Sequence, residues 1–393
     1  MNPTRTGLDR LLQNPERFLI GKTVGLVVNH TSVAADGRHS IEHFSNHRQY
    51  QLLKLFAPEQ GLYGVDQDMI AINDQEDPLS GLTIQSLYGD HAESLTPDPA
   101  MLAGLDNLVF DIQDIGSRYY TFIYTLAKCM EVCRQAAVRM VVLDRPNPIG
   151  GTQVEGNRVQ EKFYSFVGEY PLANRHGMTA GELAKMFNEA FEIGCDLTVV
   201  PMDGWQRNQW YDQTGLHFIP PSPNMPTVTT AAVYPGMCLI EGTLLSEGRG
   251  TTLPFEQIGA PYIDPHQLAQ ALEKENLPGV FIRPHFFKPV FHKWNEETCG
   301  GVQLHITDQT CFKPLLTGIA VIRAIFHLYP GSFAWRTEAY EFVQDRPAID
   351  LLYGNSDLRE NLLPQKASLS AIEESWQDDL VEFRKLRKDF LLY

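Results

Sequence analysis

Leu55–Gly64 reads LFAPEQGLYG, an apolar run of β character that breaks off in Pro-Glu-Gln-Gly and leaves Glu59 where the chain turns. The same design recurs outward from it. GKTVGLVVNH, NLVFDIQD, RMVVLDRP and DLTVVPMD also close on polar side chains: Asn29, Asp111 with Asp114, Asp144, and Asp203. Solid β-branched runs separated by helical patterns predict βαβ units and a parallel sheet. In such a sheet the carboxyl ends of the strands open onto one crevice, where ligands bind. The expected fold is α/β, a Rossmann-like parallel-sheet domain over residues 1–228 with a second, smaller α+β domain over 229–393. At 393 residues the chain exceeds one ordinary core.

Two helices are explicit. SRYYTFIYTLAKCMEVCRQAA carries Tyr119, Phe122, Ile123, Leu126, Met130 and Cys133 at spacings of three and four. Thr179-Ala-Gly-Glu182 is a capping box that opens the next one. The proline-rich stretch 204–227 reads as an ordered loop bordering the cleft. Strands at GVFIRPHFFKPVF and GGVQLHITD follow, then a helix PLLTGIAVIRAIFHLY and a long amphipathic helix to the end.

A net charge of −16 argues against nucleic acid or an anionic membrane surface as partner. No run approaches the roughly 20 apolar residues of a spanning helix, and the charged amphipathic N-terminus lacks an export signature, so a cytoplasmic protein is expected. The six cysteines show no zinc or redox spacing, and Cys129 with Cys133 reads as a buried thiol pair. There is no G-x-G-x-x-G after a strand, no G-x-S-x-G elbow and no H-E-x-x-H. Neither a metal nor an organic cofactor is implied.

Glu59, stiffened by Pro58, freed by Gly61 and backed by Leu55, Phe56 and Tyr63, suits a general acid whose pKa burial raises, or else a capping carboxylate. FDIQDIGSRYYTF sets Asp111 and Asp114 at a strand end, then Ser117 and Arg118 opening a helix. Asp114 or Ser117 is equally read as that helix's cap. Asp144 in Asp-Arg-Pro-Asn-Pro suits a structural turn as well as chemistry. Arg175-His176 faces the same rim, and EGTLLSEGRGTT supplies Glu241, Glu247 and Arg249.

With those segments in view, the chain resembles the NamZ-type exo-β-N-acetylmuramidases. GLVVNHTS, FAPEQGLYG, FDIQDIGSRYYTFIYTL, VVLDRPNPIGG, RHGMTAGELA, PPSPNMPT, EGTLLSEGRGTTLPFEQIGAP and CGGVQLHITD match in order. The resemblance implies a Rossmann-like domain joined to a smaller one, with the active site in the cleft between them. It also implies release of non-reducing terminal N-acetylmuramic acid from peptidoglycan fragments. Glu59 then matches the family's Pro-Glu-His-Gly glutamate, the catalytic acid, with Gln60 in place of the histidine. Asp114 or Asp111 is the expected second carboxylate, acting as base, stabilising the transition state, or orienting the sugar's 2-acetamido group as an internal nucleophile. Arg118, Arg175 and Arg249 are candidates for the lactyl carboxylate. Asn29, Asp144, His176, Asn224, Glu241 and Glu247 complete the binding candidates, for a saccharide or muropeptide ligand. The rival readings are a metal-assisted hydrolase built on Asp111, Asp114 and Asp144, and a non-catalytic binder of cell-wall fragments.

Overall fold

The structure, a computed structural model, describes residues 4–65, 75–89 and 92–393. Its first half is a seven-stranded sheet in the order β3 (Gln75–Glu76), β4 (Thr83–Ser86), β2 (Gln51–Ala57), β1 (Thr23–Val28), β5 (Asn107–Asp111), β6 (Arg139–Leu143), β9 (Leu197–Val200). All neighbours run parallel except the short edge pair β3 and β4. The continuous apolar runs follow from burial on both faces. On one face Leu26, Val28, Val109 and Val141 pack with Leu8 and Leu11 of α1 (Gly7–Gln13) and Ile41 and Phe44 of α2 (Ser40–Ser45). On the other, Val27, Leu108, Phe110 and Val142 meet α3 (Phe122–Ala136) and α4 (Ala180–Glu189). Strands β7 (Glu155–Arg158) and β8 (Ala173–Arg175) form a separate antiparallel pair.

After α5 (Val228–Met237) comes a three-stranded antiparallel sheet, β10 (Gln257–Ala260), β12 (Cys299–Ile306), β11 (Val280–Phe287), with α6 (Pro265–Glu273) and α7 (Pro314–Leu328). Three shorter helices close the chain, α8 (Ala348–Tyr353), α9 (Leu369–Glu374) and α10 (Gln377–Arg387). One apolar cluster runs without a break from Phe110 and Leu126 to Ile240, Ile319, Leu352 and Trp376. The two halves therefore share a core, and the interface between them is built like an interior.

Two helices depart from the sequence reading. The one expected from Ser117 starts at Phe122, because Ser117 bridges to Arg175 and the Arg118 N–H is taken by the Asn174 carbonyl. The long terminal helix is two, broken at Trp376, whose ring is buried while its backbone leaves the helical region (φ −109°, ψ 6°). The capping box at Thr179 and Glu182 forms as written. Cys129 and Cys133 are free and buried. Among the described residues no helix is long and apolar enough to cross a membrane.

Candidate active site

Glu59 sits just past the end of β2, 7% exposed. The chain can turn there because Gln60 and Gly61 both take left-handed backbone (φ +69° and +73°), the second at no steric cost. Gly64 is needed as well: a Cβ there would lie 2.0 Å from the His30 ring. That ring stands 2.5 Å from the Pro220 carbonyl and so packs the acid's turn against the proline loop.

Thr121 donates its hydroxyl to Glu59 Oε2 at 2.8 Å. As N-cap of α3 it would ordinarily bond its own helix, and it makes no such bond. The hydroxyl has been diverted to the acid. Glu59, Gln60, Tyr120 and Thr121 form one wall of a cavity of about 40 Å³, and Ser222 and Asn224 of the proline loop form another. The second domain supplies Tyr234, Glu241, Arg249, Phe255, Tyr340 and Glu341. Burial raises the Tyr120 hydroxyl, and the charges of Asp114 and Glu59 add to it.

The other candidates are placed as follows. Asp111 is fully buried and paired with Arg145 at 2.7 Å. Asp114 accepts from Gly116 N–H at 2.7 Å and faces His176 Nε2 at 3.6 Å. His176 Nδ1 takes the Met178 N–H, which leaves a neutral ring's proton on the side of Asp114. Neither aspartate lines the Glu59 cavity. Asp144 accepts from Thr179, Gly181, Arg145 N–H and Tyr393. Among the described residues no group of three or more His, Cys, Asp or Glu side chains is placed to share a metal ion.

Asn29 folds back on Thr31 in an Asx-type turn. Arg118 is fully buried and spends its guanidinium on the carbonyls of Asn157, Leu172, Leu352 and Tyr353. Arg175 donates to Gln153 and Ile149 and lies over the Trp210 ring. Arg249, Asn224 and Glu241 reach the cavity. Glu247 stands just outside it. Burial alone would raise its carboxyl, but Lys293 at 2.9 Å, His292 and Arg249 hold it well below the usual range.

Glu341 was not foreseen from the sequence. It occupies a two-residue turn closed by reciprocal backbone bonds between Tyr340 and Val343 (3.0 and 2.9 Å). Both central residues, Glu341 (φ +45°) and Phe342 (φ +67°), take positive φ. Such turns favour Asn-Gly, and a bulky side chain there costs about 1–3 kcal/mol per residue. Tyr340 donates to Glu241 at 2.6 Å on one side. On the other, Tyr88 of the first domain donates to Glu341 Oε2 at 3.2 Å and its ring meets Phe342 at 5.7 Å.

A larger cavity, about 460 Å³, opens at the point where strand order reverses between β1 and β5. Its buried charge is Arg145, already matched by Asp111. The concentration of acids lies at Glu59.

A buried acid facing further carboxylates and an arginine in an inter-domain cavity is the constellation of a glycoside hydrolase. Residues 24–229 match the N-terminal domain and residues 232–393 the C-terminal domain of the exo-β-N-acetylmuramidase NamZ family, and the chain belongs to that family. It is 42% identical over 389 residues to the peptidoglycan β-N-acetylmuramidase NamZ of Bacillus subtilis, covering 99% of this chain and 91% of that one. Two crystal structures of DUF1343-family proteins from Bacteroides fragilis share its fold. One is 34% identical with a TM-score of 0.89 over the full length of both chains, the other 28% identical with 0.78 over 99% of each.

Proposed function

We propose that this chain is an exo-acting glycosidase that removes a non-reducing terminal N-acetylmuramic acid from peptidoglycan fragments, with Glu59 protonating the glycosidic oxygen. The observation that carries this reading is Glu59 itself: a carboxyl 7% exposed, held by Thr121, in a cavity shared by both domains. Such a site shields the carboxyl from bulk water and fixes its aim, as a positioned general acid requires. Arg249 is the cavity's cation and suits the lactyl carboxylate. The turn that carries Tyr340 and Glu341 lines the cavity from the second domain and is tied to Tyr88 of the first. A cavity of about 40 Å³ holds roughly three waters rather than a hexose. Sugar binding therefore has to spread these walls.

The test is mass spectrometry of the products from a muramic acid–glucosamine disaccharide, with turnover followed on a chromogenic muramic acid glycoside. Glu59→Gln is expected to lower kcat by at least about 1,000-fold with an unchanged melting temperature, as loss of the proton donor requires. Near-full activity in that variant removes Glu59 from the chemistry. Binding without turnover by the unaltered protein would favour a non-catalytic binder of cell-wall fragments.

A further inference from the structure

The wall that carries Glu59 also presents an amide whose oxygen has nothing to accept from. Gln60 lines the same cavity and is 8% exposed. Its Oε1 is buried and has no hydrogen-bond partner among the described residues. A carbonyl oxygen taken out of water and left without a donor is destabilising, and folded proteins seldom keep one without a use. The backbone beneath it is left-handed (φ +69°), where Gly or Asn would sit at less cost than a glutamine. Strain and an unserved acceptor at one residue, beside the acid, mark a side chain kept for a ligand.

The donor it serves follows from the chemistry of the substrate. In a terminal N-acetylmuramic acid the glycosidic oxygen that Glu59 protonates is on C1, and the 2-acetamido group is on the neighbouring carbon. The acetamido N–H is therefore the sugar's donor closest to the scissile bond. The lactyl ether and carboxylate on C3 offer acceptors alone and cannot satisfy a carbonyl oxygen. The unserved acceptor on the acid's own wall is Gln60. We infer that Gln60 reads the 2-acetamido group: its Oε1 accepts the amide N–H and restricts the enzyme to 2-acylamino sugars. This specificity role rests on the glycosidase reading above.

The experiment uses two chromogenic glycosides, that of N-acetylmuramic acid and its analogue in which an ester oxygen replaces the acetamido N–H. Gln60→Met keeps the length of the side chain and removes its acceptor. On the amide substrate it is expected to lose at least about tenfold in kcat/KM, as the loss of a hydrogen bond made to substrate requires. On the ester, where the parent's Gln60 already lacks its donor, the same variant is expected to stay within about threefold of the parent or to gain. Where ester turnover is too slow to follow, its Ki as a competitor of the amide gives the same comparison. Gln60→Gly takes left-handed backbone without strain and is expected to show the same one-sided loss, which covers the case that Gln60→Met folds poorly. Equal losses on both substrates would assign Gln60 to packing, and an unchanged rate on the amide would show that it does not touch the acetamido group. Either result overturns the inference while the glycosidase reading stands. A parent inactive on the amide glycoside would remove both.

Discussion

Arg249 reaches the Glu59 cavity with its guanidinium already divided between two acids. Its Nη2 donates to Glu241 at 2.8 Å and its Nε lies 3.5 Å from Glu247. Its plane also lies over the Phe255 ring, 5.0 Å from the centroid. This is a positioned fork rather than a mobile charge, and a fork discriminates a planar carboxylate in a way an ammonium cannot. Arg249→Lys keeps the charge that Glu241 and Glu247 require but loses the geometry. Its kcat/KM on a muramic acid glycoside is expected to fall about 10- to 100-fold, the worth of one charge-assisted bond. The matching glucosamine glycoside, which lacks the lactyl group, should change far less. Equal losses on both would show that Arg249 serves the fold and not the substrate. At this scale the placement of Glu59 and Arg249 at one cavity was legible, since both stand among turn residues. Glu341 was not, because Tyr-Glu-Phe-Val carries no Gly, Pro or Asn to mark a turn, and its partner Tyr88 is 253 positions away.

The elements that hold Glu241 and Arg249 in place depend on a crossing of two helices with no side chains between them. Gly236 of α5 and Gly318 of α7 meet backbone to backbone. A Cβ on Gly236 would stand 1.8 Å from the Pro314 carbonyl, and one on Gly318 would stand 2.2 Å from the Gly236 carbonyl. No flexible side chain can yield there, so even one methyl must separate the helices. Gly236→Ala or Gly318→Ala is expected to cost about 3 kcal/mol, the upper part of the usual range for overpacking, read as a lower urea midpoint. Activity should fall with it, since the turn of helix carrying Glu241 follows α5 directly. A midpoint within error of the parent would show that the helices part cheaply. The strands were readable one by one because each is a solid apolar run ending in a polar residue. This crossing was not, because a glycine within a helical pattern does not say which other backbone comes close.

The second domain's last helix ties the two halves together. This helix, α10, returns to the first domain, where Arg387 donates to the carbonyls of Gly151, His176 and Gly177. The final residue inserts further: the Tyr393 hydroxyl donates to Asp144 Oδ2 at 2.7 Å and accepts the Met202 N–H. A terminal helix that looks merely amphipathic in sequence thus carries a plug for the carboxyl end of β6, a role that only the tertiary fold discloses. Burial raises the Asp144 carboxyl to about 7, against the donated bonds from Tyr393, Gly181 and Thr179 that lower it. Burial likewise raises Glu155, beneath the first turn of α7, to about 7. In the unfolded chain both would ionise near their ordinary values of about 4. Between about pH 4 and pH 7 the folded protein therefore binds more protons than the unfolded one. Stability from these two groups is complete below that window and is lost as the pH rises through it. The expected signature is a melting temperature that declines from pH 5 to pH 8. Asp144→Asn cannot titrate, so its melting temperature should decline less steeply over the same range. A decline as steep in the variant as in the parent would mean that Asp144 is ionised in the folded state throughout, stabilised by the hydroxyl of Tyr393 rather than sharing its own proton.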